Sequence, residues 1–171
     1  LCSESGAQLW YHLWREFIPT VGLSFSEEDF IRSACQRFNR QRVNVTPLRK
    51  CYTSEDSLGK IGILKVHRSN WTVVPHQYNP QMRYLYAYTL LHEWESRCPE
   101  RPELTLPEIT DYLRWGNAYA WTNDDVLYAL SELQALGVVN LNRQLRPVTV
   151  IRTAHPQDIV GFLRSEEHTS E

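Results

Sequence analysis

The chain has 171 residues, 42% of them hydrophobic and 12% aromatic, with a formal net charge of −2. This length suits one domain of average size or two small ones, and the composition is sufficient to bury a core. No stretch approaches the roughly 20 apolar residues that span a bilayer, so we expect no membrane contact.

Features at both ends of the chain predict that the sequence is a fragment. The chain begins at Leu1 rather than at a methionine, and residues 164–171 resemble the in-frame translation of a common sequencing-library adapter. We therefore expect 164–171 to be a non-native tail, and the native sequence to be interrupted near Leu163. An assembled metagenomic or transcriptomic fragment would have these features.

Charge is distributed unevenly between the two halves of the chain. Residues 1–75 carry 10 basic and 7 acidic side chains, whereas residues 76–163 carry 7 basic and 10 acidic ones. Such an asymmetry predicts different partners for the two halves.

The cysteines predict neither a zinc site nor a disulfide framework. They form no C-x-x-C pair and have no histidine at zinc-ligand spacing, and they are Cys2, Cys35, Cys51 and Cys98. Cys35 and Cys51 fall on apolar helix faces and are most simply small core residues, and a reducing cytoplasm is expected.

Three helices and a hairpin are predicted in residues 1–75. Apolar spacing indicates a helix over residues 8–18 that ends at Pro19, and an acidic capping box opens a second over 26–39. Thr46 is expected to cap a third helix, with Pro47 at its first position. Residues 63–74 have the pattern of a hairpin. No strand is evident between the first two helices.

Residues 76–163 show the same order of elements after a boundary at 75–79. A helix over 80–97 is apolar on nearly all sides, which predicts a buried common spine. A short strand at 104–106 and a short helix at 107–115 follow. A helix from Thr122 or Asn123 ends at Gly137, which suits a left-handed cap. Two strands and a further helix from Pro156 complete the pattern.

One step from helix into strand occurs twice. Residues 133–139 read Leu-Gln-Ala-Leu-Gly-Val-Val, residues 58–64 read Leu-Gly-Lys-Ile-Gly-Ile-Leu, and a second strand follows each. This pattern resembles the winged helix-turn-helix superfamily, two units in tandem. The resemblance implies a mainly α fold with small β-wings (α+β), with units at 1–75 and 76–163 sharing the central helix.

Basic side chains cluster in the first unit, and no acid lies between Phe30 and Ser54. The resemblance implies that the third helix enters the major groove while its neighbours hold phosphates. Residues 32–68 are thus predicted to contact double-stranded DNA. The candidate side chains are Arg37, Arg40, Arg42, Arg49, Lys50, Thr53, Lys60, His67 and Arg68. A solvated basic face or an acidic protein partner are the alternatives.

Acidic residues occupy the corresponding helix of the second unit. They would repel a phosphate backbone, so we expect residues 115–132 to contact a protein partner or a second copy. The aromatic candidates for this surface are Trp115, Tyr119, Trp121 and Tyr128. For the aromatics around the preceding loop, a place in the core is the favoured interpretation and a contact surface is the alternative.

No catalytic, metal or cofactor site is predicted. Residues 92–96, His-Glu-Trp-Glu-Ser, begin like a zinc-protease motif but lack its second histidine. Glu93 and Glu95 fall on opposite sides of a helix, and His12 stands alone in sequence. Neither a P-loop nor a G-x-S-x-G motif is present.

The expected function is a DNA-binding module of the kind used in transcription regulation, replication, mobile elements or defence. Two alternatives remain. Both units can serve as a non-enzymatic protein–protein adaptor, or the chain can be a non-catalytic part of a larger enzyme.

Overall fold

Helices alternate with two small antiparallel sheets in the computed structural model of the chain. The structure describes residues 4–52, 64–73, 80, 83–113 and 122–161, with backbone only for 50–52. Each sheet has three strands. The architecture is therefore mixed α and β, as the sequence predicts.

The N-terminal half contains, in order, α1 (Glu4–His12), a π-helical turn (Leu13–Phe17), α2 (Ile18–Val21), β1 (Ser24–Ser26), α3 (Glu27–Phe38), α4 (Thr46–Tyr52), β2 (Leu64–His67) and β3 (Asn70–Val73). The C-terminal half contains α5 (Arg83–Arg97), β4 (Glu103–Thr105), α6 (Leu106–Leu113), α7 (Asn123–Ala135), β5 (Val139–Asn142) and β6 (Thr149–Arg152). A final helix, α8, covers residues 156–161.

The first helix does not end at Pro19, so that prediction is wrong. The π-helical turn is followed directly by α2, in which Pro19 occupies the first turn. Pro19 has no N–H to donate, and it falls where the helix changes from π-helical to α-helical hydrogen bonding. The helix ends instead at Gly22, where φ is +112° and the N–H bonds to the Ile18 carbonyl at 2.8 Å.

A strand that the sequence pattern does not show lies between the first two helices. β1 pairs antiparallel with β3, which also pairs with β2, so the sheet order is β1-β3-β2. The expectation of no strand there is wrong because three residues are too few to show an alternating pattern. Phe25, Trp71 and Val73 lie on its buried face.

The second sheet repeats the order of the first. β4 pairs with β6, and β6 pairs with β5, so the order is β4-β6-β5. In each half, a short strand, β1 or β4, pairs with the second strand of the hairpin that ends that half, β3 or β6. Residues 53–63 and the predicted boundary at 75–79 lie outside the described residues.

Helix α5 forms the centre of the core, as its all-round apolar pattern predicts. Residues 85–91 are buried, as are Glu93 and Trp94. The helix packs against α1 of the N-terminal half and against α6 and α7 of its own half. It therefore joins the two halves.

Local signals set both ends of α7. Thr122 and Asp125 form a reciprocal capping box at the N-terminus. At the C-terminus the Val138 N–H bonds to the Leu133 carbonyl and the Gly137 N–H to the Gln134 carbonyl. This is a Schellman motif, and Gly137 has the left-handed φ of +78° that it requires. The predicted caps are confirmed.

The substitution Gly137→Val is expected to lower the free energy of unfolding by about 1–2 kcal/mol, because a β-branched residue strains the left-handed conformation. Urea unfolding followed by circular dichroism measures the loss. Gly161→Ala is the matched control, since Gly161 has open space around it and no positive φ. An equal loss in both variants would contradict this account of the cap.

Candidate nucleic-acid interface

The outer face of the first sheet is polar and its only charges are basic. Register places Ser24, Thr72 and Lys65 in one row across the three strands, and Ser26, Asn70 and His67 in the next. Both Lys65 and His67 are exposed. None of the three strands contains an acidic residue.

The turn of this hairpin carries a third basic side chain. Arg68 and Ser69 form a two-residue loop, and Arg68 is exposed with φ of +60°. A positive φ at the first loop position matches the right-handed twist of the flanking strands. The Ser69 carbonyl accepts a hydrogen bond from the Glu27 N–H at 2.7 Å, which fixes the turn beside the start of α3.

Helix α4 is tied to the same place through Arg49. Its Nη1 lies 3.2 Å from Glu27 Oε1, and the Arg49 side chain is 43% exposed. Helix α4 begins at Thr46 itself, whereas the predicted Thr46 cap requires the helix to begin at Pro47. The Arg49 N–H bonds to the Val45 carbonyl, and Asn44 Oδ1 accepts from the Thr46 N–H.

A second basic group lies at the other end of α3. Arg37 pairs with Glu16 at 3.0 Å, whereas Arg40 and Arg42 are exposed and make no ion pair with another described residue. About 15 Å of helix separates Glu27 from Arg37 at 1.5 Å per residue. The described candidates thus form two groups, one at the hairpin turn and one after α3.

Several candidates lie outside the described side chains. In the N-terminal half these are Lys50, Thr53 and Lys60, and in the C-terminal half Trp115, Tyr119 and Trp121. Tyr128 is described and is 52% exposed on α7. Of the four residues predicted to form the protein-contact surface, only Tyr128 is therefore among those that the structure describes.

The hairpin of the C-terminal half differs in its contacts. The Arg143 guanidinium donates to the Ser131 hydroxyl on α7 at 2.7 Å, and Arg146 donates to the Arg143 carbonyl at 2.6 Å. Leu145 at the tip of the loop is 46% exposed. Both arginines therefore hold the loop against its own half.

A buried carboxylate lies where the two halves meet. Glu93 is 1% exposed, and its Oε1 accepts from the Tyr11 hydroxyl at 2.7 Å and faces Arg15 Nε at 2.7 Å. Arg97 Nε is 2.9 Å from Oε2, without the alignment of a hydrogen bond. Burial, and then the hydrogen bond to Glu93, raise the pKa of Tyr11, so the phenol remains a donor.

The sequence signal for Glu93 is its position on a helix that is apolar on nearly all sides, four residues before Arg97. Glu93 is buried, whereas Glu95, which the pattern places on the opposite side of the helix, is exposed. His12 is likewise not isolated. It is buried and contacts Glu16 and Ser33.

Among the described residues, no group of three or more His, Cys, Asp or Glu side chains is placed to hold a metal ion. None of the helices in that part of the chain is both long and apolar enough to cross a bilayer.

Comparison with known proteins identifies no family. No protein-family model and no curated protein matches the sequence. The chain is similar to a solved structure of SspB, with 17% identity and a TM-score of 0.43, over 94% of this chain and 54% of that one. A solved structure of magnesium-ion-bound SspB is also similar, with 18% identity and a TM-score of 0.44, over 98% of this chain and 57% of that one. The chain spans little more than half the length of these SspB chains.

Proposed function

We propose that the chain consists of two winged-helix units in tandem and that the N-terminal unit binds double-stranded DNA. The order of elements supports this assignment. Each half has a helix, a short strand, two helices and a hairpin, and the short strand pairs with the second strand of the hairpin. This is the arrangement that a helix-turn-helix followed by a wing requires.

The outer face of the first hairpin is the observation that carries the DNA-binding proposal. Lys65, His67 and Arg68 are exposed there, and no carboxylate shares the three strands. Long basic side chains on a polar surface suit phosphate contact. Arg49 pairs with Glu27, whose N–H bonds to the Ser69 carbonyl, so we expect α4 and the hairpin turn to contact the same ligand.

Ion pairs within the N-terminal unit reduce the positive charge that is available to contact phosphates. Glu16 and Glu27 each neutralise one arginine, and Arg32 pairs with Glu28 and Asp29. The strongest contributors are therefore the basic residues without a described ion pair. We expect moderate affinity that depends strongly on salt, since each neutralised phosphate releases a counterion.

The proposal is tested by titrating salt against binding of the full chain to random duplex DNA. Lys65→Ala with Arg68→Ala is expected to flatten the log–log slope by about 2, at about 0.9 per lost phosphate contact. Fluorescence anisotropy of labelled duplex measures the slope. Both side chains are exposed, so the unfolding transition should not move.

Arg143→Ala with Arg146→Ala is the matched control, because it removes the same charge from the other hairpin. Binding should retain its slope in this variant, since these arginines bond to their own half. Equal flattening in both variants would show that net charge, rather than the first hairpin, determines binding. An unchanged slope in the Lys65 and Arg68 variant would contradict the assignment directly.

A protein–protein adaptor is the second candidate, favoured by exposed apolar side chains in the C-terminal unit. Tyr128 and Leu145 are two of the three large hydrophobic residues exposed in the described chain. Exposed apolar groups near a polar rim are typical of protein contacts. Absence of DNA binding even at low salt would favour the adaptor.

A further inference from the structure

A serine, a histidine and a glutamate lie in line inside the N-terminal half. The Ser33 hydroxyl on α3 is 2.9 Å from His12 Nε2, and His12 Nδ1 is 2.9 Å from Glu16 Oε2. Both distances are within hydrogen-bond reach. The three residues come from α1, the π-helical turn and α3, which explains why no sequence motif marks them.

The chemistry of the three groups fixes the direction of the protons. An ionised carboxylate only accepts, so Glu16 requires the proton of His12 on Nδ1. Nε2 is then an acceptor, and the Ser33 hydroxyl must donate to it. Glu16 is held in turn by Arg37, whose Nε is 3.0 Å from its other oxygen. This is the arrangement of a nucleophile, a base and an orienting acid.

The surroundings of His12 favour its neutral form. The ring is 4% exposed and packs among the rings of Phe17, Phe30 and Phe38. Burial lowers the pKa of His12, although the hydrogen bond and charge of Glu16 act in the opposite direction. A neutral imidazole at neutral pH is able to accept a proton.

Ser33 and His12 both line an open cavity of about 390 Å³. Volumes of this order hold small ligands. Gln36 and Arg37 line the same cavity and carry N–H donors. Such donors suit the negative oxygen that develops when a hydroxyl attacks a carbonyl.

We propose that Ser33, His12 and Glu16 form a nucleophilic site that hydrolyses small carboxylic esters. Ser33 Oγ forms a bond to the ester carbonyl carbon while its proton passes to His12 Nε2. The bond to the alkoxy oxygen then breaks, and His12 returns the proton to the leaving alcohol. Water cleaves the acyl-serine by the same route, releasing the acid and restoring Ser33. The proposal does not rest on DNA contact by the first hairpin.

A fluorophosphonate probe tests the site, because it forms a stable covalent bond with an activated serine. The full chain is incubated with the probe, and the modified residue is located by peptide mass spectrometry. We expect a single adduct on Ser33. Ser33→Ala should abolish it, whereas Ser24→Ala, which removes an exposed serine, should leave it unchanged.

His12→Gln should slow labelling at least about 100-fold, the contribution of a positioned general base. Glu16→Gln provides a second variant if His12→Gln does not fold, with a loss of at least about tenfold expected for the orienting group. Circular dichroism confirms the fold of each protein tested. Absence of an adduct on Ser33 in the folded wild-type chain would overturn the proposal. Labelling that is equally fast in a folded His12 or Glu16 variant would also overturn it, and would leave His12 as a hydrogen-bonded core residue.

Discussion

The double substitution Arg15→Met and Arg97→Met is expected to lower the free energy of unfolding by about 3–5 kcal/mol. It leaves Glu93, which is 1% exposed, without either of its cationic partners. An unpaired charge that remains out of water costs several kcal/mol, whereas methionine retains most of the packing of the arginine stems. Urea unfolding of the full chain, followed by far-UV circular dichroism, measures the loss.

The triple variant, with Glu93→Gln added, is the control. It removes the charge itself, and the glutamine oxygen still accepts from the Tyr11 hydroxyl. More than half of the lost stability should return, because complete removal of a buried ion pair is far less costly than removal of one side of it. A triple variant as unstable as the double one would show that the arginine stems, rather than the charge on Glu93, stabilise the contact between α1 and α5.

Elements with local signals are predicted well, apart from the Thr46 cap, which lies one residue inside α4. The caps of α7 and α3 depend on residues within one turn of each helix end, and Thr122, Ser26 and Gly137 occupy the expected places. The burial of α5 follows from its composition alone. Such elements are specified by short-range chemistry, which a single sequence contains in full.

Elements that depend on distant partners are missed. β1 is a strand only because β3 lies beside it, and its three residues show no pattern of their own. The predicted end of the first helix is misplaced because the π-helical turn precedes Pro19 and places it in the first turn of α2. Neither feature follows from hydrophobic periodicity.

The same distinction applies to the candidate sites. Composition identifies a basic segment, but pairing between Arg37 and Glu16, 21 residues apart, requires the fold. The contact of His12 with Ser33 likewise joins two helices. Of the exposed basic residues of the first hairpin, His67 and Arg68 are recognised from sequence because the predicted turn places them at its tip. Lys65 is the one that the candidate set omits.

Trp71→Ala is expected to lower the free energy of unfolding by about 3–5 kcal/mol, the usual cost of truncating a buried tryptophan. The Trp71 side chain is fully buried, with its ring centre 5.9 Å from that of Phe25 and 5.7 Å from that of Phe30. It connects the first sheet to α3. Unfolding in urea, monitored by circular dichroism, measures the loss.

Thr72→Ala is the matched control, because Thr72 is the next residue on β3 and lies on the outer face. This exposed substitution should change stability by no more than about 1 kcal/mol, because it removes only the cross-strand contact between the Thr72 and Ser24 hydroxyls. Successive side chains of a strand point to opposite faces, so a shift of the register by one residue would reverse the two results. The same shift would turn Lys65 and His67 toward the core. A small effect at Trp71 with a large one at Thr72 would therefore contradict both the packing of the sheet and the basic face proposed to contact DNA.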